Sequence, residues 1–408
     1  MNIKSKIALM IRKYVILFLS GCIQGIAWHG FDLPCAINKE FSAYVNILSK
    51  KFIIYTFISY AAPNIFTSFI MGYFLNRNIN LVGIMGFMIF VGNVLFFMGV
   101  KHKYLSVIII GKILAGIGGE GFTINQNKSI ACYFKGKALA QALCFFNILG
   151  KVGTMLTYFL APKFIINYSV IHVLYFSAFL SFIAFISSLL IFFMDRKKIN
   201  LQQNYKGNRK YDKTFFLYIF TILFFVSAWS TFHNSVIFIL RRKFPFDNEK
   251  SCMLFGITDI LTVILCVLVG YFADHWGHKL SFMKIGYISG FTGILLINLD
   301  LGNIFLIMVL SAIGYSFFSC YWACLPSLVN DDTLGMGYAI ITCVVNLSYC
   351  LPQLITNTFI HKDDDFTYTL TFINVLQFVG FCLILILTYF NSRYKLKLND
   401  SEITKLNE

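Results

Sequence analysis

Twelve runs of mostly apolar residues, each long enough to cross a bilayer, follow one another along the 408-residue chain. They lie near 14–33, 52–74, 81–99, 104–130, 138–161 and 170–194, then near 214–240, 252–273, 282–299, 303–325, 335–359 and 367–391. A crossing takes roughly 20 apolar residues and each connection here roughly 14, so twelve crossings use up the length. A separate catalytic domain has nowhere to fit. Composition agrees, with 58% hydrophobic and 13% charged residues, against about 45–50% and about 25% in soluble domains. The expected fold class is an all-α polytopic membrane protein with twelve transmembrane helices.

The formal charge of +16 would suggest a nucleic-acid partner in a soluble protein. Here the cations lie between apolar runs, so a bilayer surface explains them and no nucleic acid is implied. Assigning Lys and Arg to alternating sides gives roughly 21 on the side of both termini and roughly 11 on the other, which places both termini in the cytosol. The first run follows Lys4, Lys6, Arg12 and Lys13 but is too long for a signal peptide and has no small-residue cleavage site. It reads as an uncleaved first helix.

The only long polar connection, 195–213, carries Arg196, Lys197, Lys198, Lys206, Arg209, Lys210 and Lys213. Its cations are mainly a topology signal, with contact to anionic lipid heads a secondary reading. It divides the chain into a six-helix half at 1–194, a cytosolic linker at 195–213, a second six-helix half at 214–391 and a cytosolic tail at 392–408. Internal repetition supports the division. Gly72-Tyr73-Phe74-Leu75-Asn76-Arg77 leaves span 2, and Gly270-Tyr271-Phe272-Ala273-Asp274 leaves span 8. Trp28 and His29 in span 1 are echoed by Trp229 and His233 in span 7.

Most of the 11 cysteines, among them Cys144, Cys266, Cys343, Cys350 and Cys382, fall inside apolar runs and read as small hydrophobes. Cys320 and Cys324 have no second pair or nearby His to complete a zinc site, so no metal is expected. Neither G-x-S-x-G, H-E-x-x-H nor a phosphate-binding G-x-x-x-x-G-K-[ST] occurs, so no catalytic residue, cofactor or enzyme activity is expected.

The informative charges lie inside the spans. A charge near the bilayer centre costs about 2.5–3.5 kcal/mol even on a lenient insertion scale, so Lys112, Glu120 and Lys151 require partners. Spans 4 and 5 are antiparallel around the turn Lys135-Gly136-Lys137. Glu120 precedes Gly136 by 16 residues and Lys151 follows it by 15, which at 1.5 Å per residue puts both roughly 22–24 Å from the turn. They therefore sit at nearly equal depth on neighbouring helices. One reading is a plain ion pair that holds the hairpin, although such pairs add little net stability. The other is a zwitterion inserted between them, its ammonium on Glu120 and its carboxylate on Lys151. Lys112 reads as a packing or gating charge. Trp28, His29 and Asp32 mark the non-cytosolic mouth, where Trp28 also suits an interfacial belt, and His29, His233 and Asp259 could relay protons.

The turn Gly270 to Lys279, with Asp274 and Gly277, resembles the loop G-x-x-x-D-x-x-G-x-K/R of the major facilitator superfamily. Its first-half copy has Asn76 for the acid and Ile79 for the second glycine, so a locking contact there is expected to be weaker or differently made. Gly270, Asp274, Gly277 and Lys279, with Lys112, are the candidate gating residues. Further blocks are similar to the branch of lysosomal dipeptide transporters: FDLPCAI from Phe31, Pro63-Asn64, Gly116 to Glu120 with Gln126 and Asn127, YFKGK from Tyr133, LPSLV from Leu325, LGMGY from Leu334, and Asn346. The resemblance implies a twelve-helix uniporter, lysosomal in animals, whose span-4 glutamate reads a peptide amino group and whose span-5 cation reads the carboxylate. Those roles fall on Glu120 and Lys151, with His29, Asp32, Asn64, Gln126 and Asn346 as further candidate contacts.

Lysine stands where that branch has arginine at Lys112 and Lys151, giving up a bidentate fork. The N-terminal tail shows no acidic dileucine signal, so a plasma-membrane location stays open beside a lysosomal or vacuole-like one. The resemblance also implies a small-molecule dipeptide substrate, a monomeric transport unit and a single-span glycosylated accessory protein as a partner. A proton-coupled carrier of sugars, organic anions or amino acids is the alternative within transport, and a non-transporting scaffold or sensor is the alternative outside it.

Overall fold

The computed structural model describes residues 3–46, 49–134, 138–195, 211–244, 246–301, 303–359, 366–394 and 398–399. The connection at 196–210 and the turn 135–137 lie outside the described residues. Among the described residues all regular structure is helical. In chain order the helices are α1 (Ile3–Ala36), α2 (Asn38–Val45), α3 (Ser49–Ala61), α4 (Asn64–Asn76), α5 (Val82–Lys101), α6 (Leu105–Phe134), α7 (Leu139–Asn167) and α8 (Val170–Asp195). They continue as α9 (Lys213–Lys243), α10 (Asn248–His275), α11 (Lys279–Asn298), α12 (Ile304–Phe318), α13 (Tyr321–Cys324), α14 (Leu334–Phe359) and α15 (Thr367–Tyr394).

Among the described residues eleven helical stretches are long and apolar enough to cross a membrane, one of them, Ile304–Ser327, running through α12 and α13. The remaining crossing is made by α3 and α4 together, where the sequence reading has one continuous span at 52–74. Pro63 has no N–H and its ring crowds the preceding turn, so the helix breaks after Ala61. Asn64 mends the break, donating its side-chain amide to the Tyr60 carbonyl at 2.8 Å. The span expected at 303–325 is likewise interrupted: α12 stops at Phe318, and α13 and a 3-10 turn at Leu325–Ser327 complete it.

The two halves meet along matching helix pairs, α7 on α10 and α4 on α14. Gly270 permits the first approach, since a Cβ there would lie 3.0 Å from Cys144 Cβ and 3.4 Å from Gln141 Cα. At the end of the bundle that carries the termini, Asp274 accepts the backbone N–H groups of Ala140 at 2.9 Å and Gln141 at 2.8 Å. A carboxylate of α10 thus caps the N-terminus of α7, where free N–H groups and the helix dipole favour an anion. The degraded first-half copy makes the matching contact with a neutral group. Asn76 Oδ1 accepts the Met336 N–H at 3.1 Å, at the N-terminus of α14. Gly277 takes a φ of 72°, which reverses the chain between α10 and α11. Lys279 opens α11 and is fully buried.

At the opposite end a buried apolar cluster joins the halves through Leu33, Ile37, Val236, Ile237 and Phe255. The Cys252 thiol donates to the Ala36 carbonyl there, at 3.6 Å. The interior of the bundle lies between these two sets of contacts.

Candidate functional site

Two adjoining cavities occupy that interior, with about 50 and 40 Å³ of space that the centre of a water molecule can reach. Glu120, Trp28, Trp229, Tyr315 and Tyr349 line both, so Glu120 stands at their junction. It is positioned by α6, whose glycine-rich stretch allows close packing, and the Asn346 side chain of α14 stands beside its carboxylate from the other half. The same Asn346 amide donates to the Thr342 carbonyl at 2.9 Å.

Lys151 lines the second cavity together with Glu120, Asp32 and His233. Its ammonium is 3.4 Å from Asp259 Oδ1 on α10, and among the described residues no ion pair joins it to Glu120. Three rings surround the same ammonium: Tyr315 at 4.5 Å, Trp229 at 5.3 Å and Trp28 at 5.7 Å from centroid to Nζ. Cation–π attraction of this kind grows when the charge is desolvated, and Lys151 is only 3% exposed. A cation held by rings and one carboxylate can exchange that carboxylate for a ligand's without becoming an unpaired buried charge.

Asp32 accepts the Thr154 hydroxyl at 2.7 Å, and its other oxygen lies 3.9 Å from His233 Nε2. His29 is bonded instead within the first half. Thr157 donates its hydroxyl to the Gly153 carbonyl at 2.8 Å, which leaves its oxygen to accept from His29 Nδ1 at 2.7 Å. Lys112 donates to the Gly30 carbonyl at 2.7 Å and sits 4.2 Å over the Phe96 ring. It fastens α6 to α1 within one half.

The structure therefore brings Glu120, Lys151, Asp32 and Asn346 together at the cavities. His29, Asn64 and Gln126 lie elsewhere. Gln126 accepts the Ser20 hydroxyl at 2.9 Å, and Asn64 belongs to the repaired break. Sequence reasoning missed the aromatic wall of Trp229, Tyr315 and Tyr349 and the Lys151–Asp259 pair. The repetition of Trp28 as Trp229 was the one available signal for the wall.

A twelve-span bundle of two halves with a polar and aromatic cavity at their interface defines a multi-pass membrane transporter. The chain belongs to the Major Facilitator Superfamily, whose model matches residues 14–353. Its relatives include the lysosomal dipeptide transporter MFSD1 of Danio rerio, 20% identical over 382 residues, covering 85% of this chain and 80% of that protein. The Homo sapiens MFSD1 is 19% identical over 370 residues, covering 84% and 78%. Among solved structures, the human organic anion transporter MFSD10 superimposes with a TM-score of 0.73 at 10% identity, covering 91% of this chain and 99% of that one. The proton:xylose symporter XylE gives 0.73 at 13% identity, covering 95% of each. These two share the fold.

Proposed function

We propose that this chain is an alternating-access uniporter of dipeptides. The observation that carries the reading is the lining of one cavity by Glu120 and Lys151, two opposite charges contributed by the first half. A zwitterionic peptide places its ammonium on Glu120 and its carboxylate on Lys151, and the names of the MFSD1 relatives support that substrate class. Because Asp259 of the second half already holds Lys151, an arriving carboxylate competes with it and loosens the contact between halves. Substrate binding and rocking of the halves are linked through one ammonium.

The excess of cations at the terminal end supports cytosolic termini, and the relatives support a lysosomal or vacuole-like membrane. Reconstituted protein should take up radiolabelled dipeptide without an imposed pH gradient, and Glu120→Gln or Lys151→Ala should each abolish uptake. Uptake surviving both changes would sink the assignment.

A second reading has its own observation. Asp32, His233 and the Lys151–Asp259 pair place several titratable groups around the second cavity, as a proton-coupled carrier of sugars, organic anions or amino acids would need. Uptake that rises several-fold when the substrate side is acidified, with sugars or organic anions as cargo, would replace the first reading with this one.

A further inference from the structure

The two cavities differ in the chemistry of their walls. The second, around Lys151, sets Asp32, Thr154 and His233 beside aromatic rings such as Phe31 and Tyr60. The first carries on its second-half wall Phe225, Phe318, Tyr321 and Trp322, besides the shared Trp229 and Tyr349. Opposite them stand Gln24, Thr123 and Asn147 of the first half, and Glu120 is the only charged residue in the lining. The rings of this wall pack on one another, Phe318 stacking on Phe225 with centroids 3.7 Å apart and Tyr321 lying against Trp322 at 4.7 Å.

We infer that the first cavity is the side-chain pocket for the N-terminal residue of the substrate and that it selects a large apolar or aromatic side chain. The inference rests on the dipeptide reading and follows from connectivity. A peptide with its ammonium on Glu120 and its carboxylate on Lys151 runs its backbone through the second cavity, which alone contains both groups. The side chain of the second residue then lies beside Lys151, where Asp32 and His233 stand next to the rings. The side chain of the first residue starts at the carbon bearing the ammonium, at the junction where Glu120 opens to both cavities. The aromatic cavity is the space left for it. Burying a benzyl group against these rings is favourable, whereas an acidic side chain there would meet the Glu120 carboxylate with no cation in the lining.

The test is binding of Phe-Gly, Gly-Phe, Gly-Gly and Asp-Gly to the purified full-length protein, read by ligand-dependent melting shifts and by competition for uptake in proteoliposomes. Phe-Gly is expected to bind about tenfold tighter than Gly-Gly, Gly-Phe to bind less tightly than Phe-Gly, and Asp-Gly to bind weakest. Val345 lines only the first cavity, so Val345→Phe fills it and should bring the Phe-Gly to Gly-Gly affinity ratio close to one. Should that variant not fold, the wild-type order of the four peptides decides alone. Equal affinities, or Gly-Phe exceeding Phe-Gly, overturn this inference and leave the dipeptide reading standing. Failure of all four peptides to bind overturns both.

Discussion

The Lys151 ammonium of the first half lies 3.4 Å from the Asp259 carboxylate of the second, and both residues are buried. A pair of this kind adds little net stability, yet removing one partner strands the other in a medium where an uncompensated charge costs about 3–5 kcal/mol. Asp259→Ala and Lys151→Ala should therefore each lower the melting temperature more than the double variant does. Thermal unfolding of all four proteins in detergent gives the coupling directly. Additive losses would mean that the pair is incidental.

Recognition of both peptide termini makes end-blocked peptides informative. N-acetylation removes the charge meant for Glu120, and C-terminal amidation removes the one meant for Lys151. Each should weaken competition for uptake by more than tenfold, because each leaves a buried charge without its ligand partner. Full competition by an acetylated peptide would exclude Glu120 as the amine site.

The two end caps at the terminal face are chemically unequal, since Asp274 is an anion on α7 and Asn76 a neutral amide on α14. Caps of this type contribute about 0.5–2 kcal/mol. Asp274→Ala should weaken the closed state at that face by such an amount. The readout is faster labelling by a membrane-impermeant maleimide of a cysteine introduced along the α7–α10 seam. Asn76→Asp should act in the opposite direction, raising the melting temperature and slowing exchange, by adding charge at a helix N-terminus. Unchanged labelling in both variants would show that these caps do not hold the gate.

Asn64 serves a repaired helix break and not the cavity. Asn64→Leu should cost about 1 kcal/mol of stability through the lost Tyr60 contact. Peptide affinity should stay within twofold in the ligand-binding melt. A tenfold loss of affinity with normal stability would return Asn64 to the binding site.

Much of the architecture is legible in the amino-acid sequence, because a bilayer imposes a length on each helix and the apolar runs record it. Pro63-Asn64 also stands out there, although its consequence is a helix break and not a substrate contact. The gating reading of Gly270 and Asp274 rests on a loop pattern whose physics is local: a small residue at a crossing and an acid at a helix end. Lys112 reads as a packing or gating charge, and its ammonium finds in the Gly30 carbonyl an acceptor of the kind a buried cation needs.

The site is only half legible. Helix rise along one hairpin places Glu120 and Lys151 at similar depth, since depth is a property of a single chain segment. The partner of Lys151 is 108 residues away in the other half, and helix rotation, which decides what a side chain faces, leaves no trace in hydropathy. By itself the sequence determined the number of crossings, the repetition of the halves and which charges had to be buried. Only the tertiary structure decided that Lys151 bridges to Asp259, that Asn346 reaches Glu120, and that seven rings of the second half face the polar wall of the first. Those contacts arise where the surfaces of the two halves meet, and their pairing is set by packing between halves.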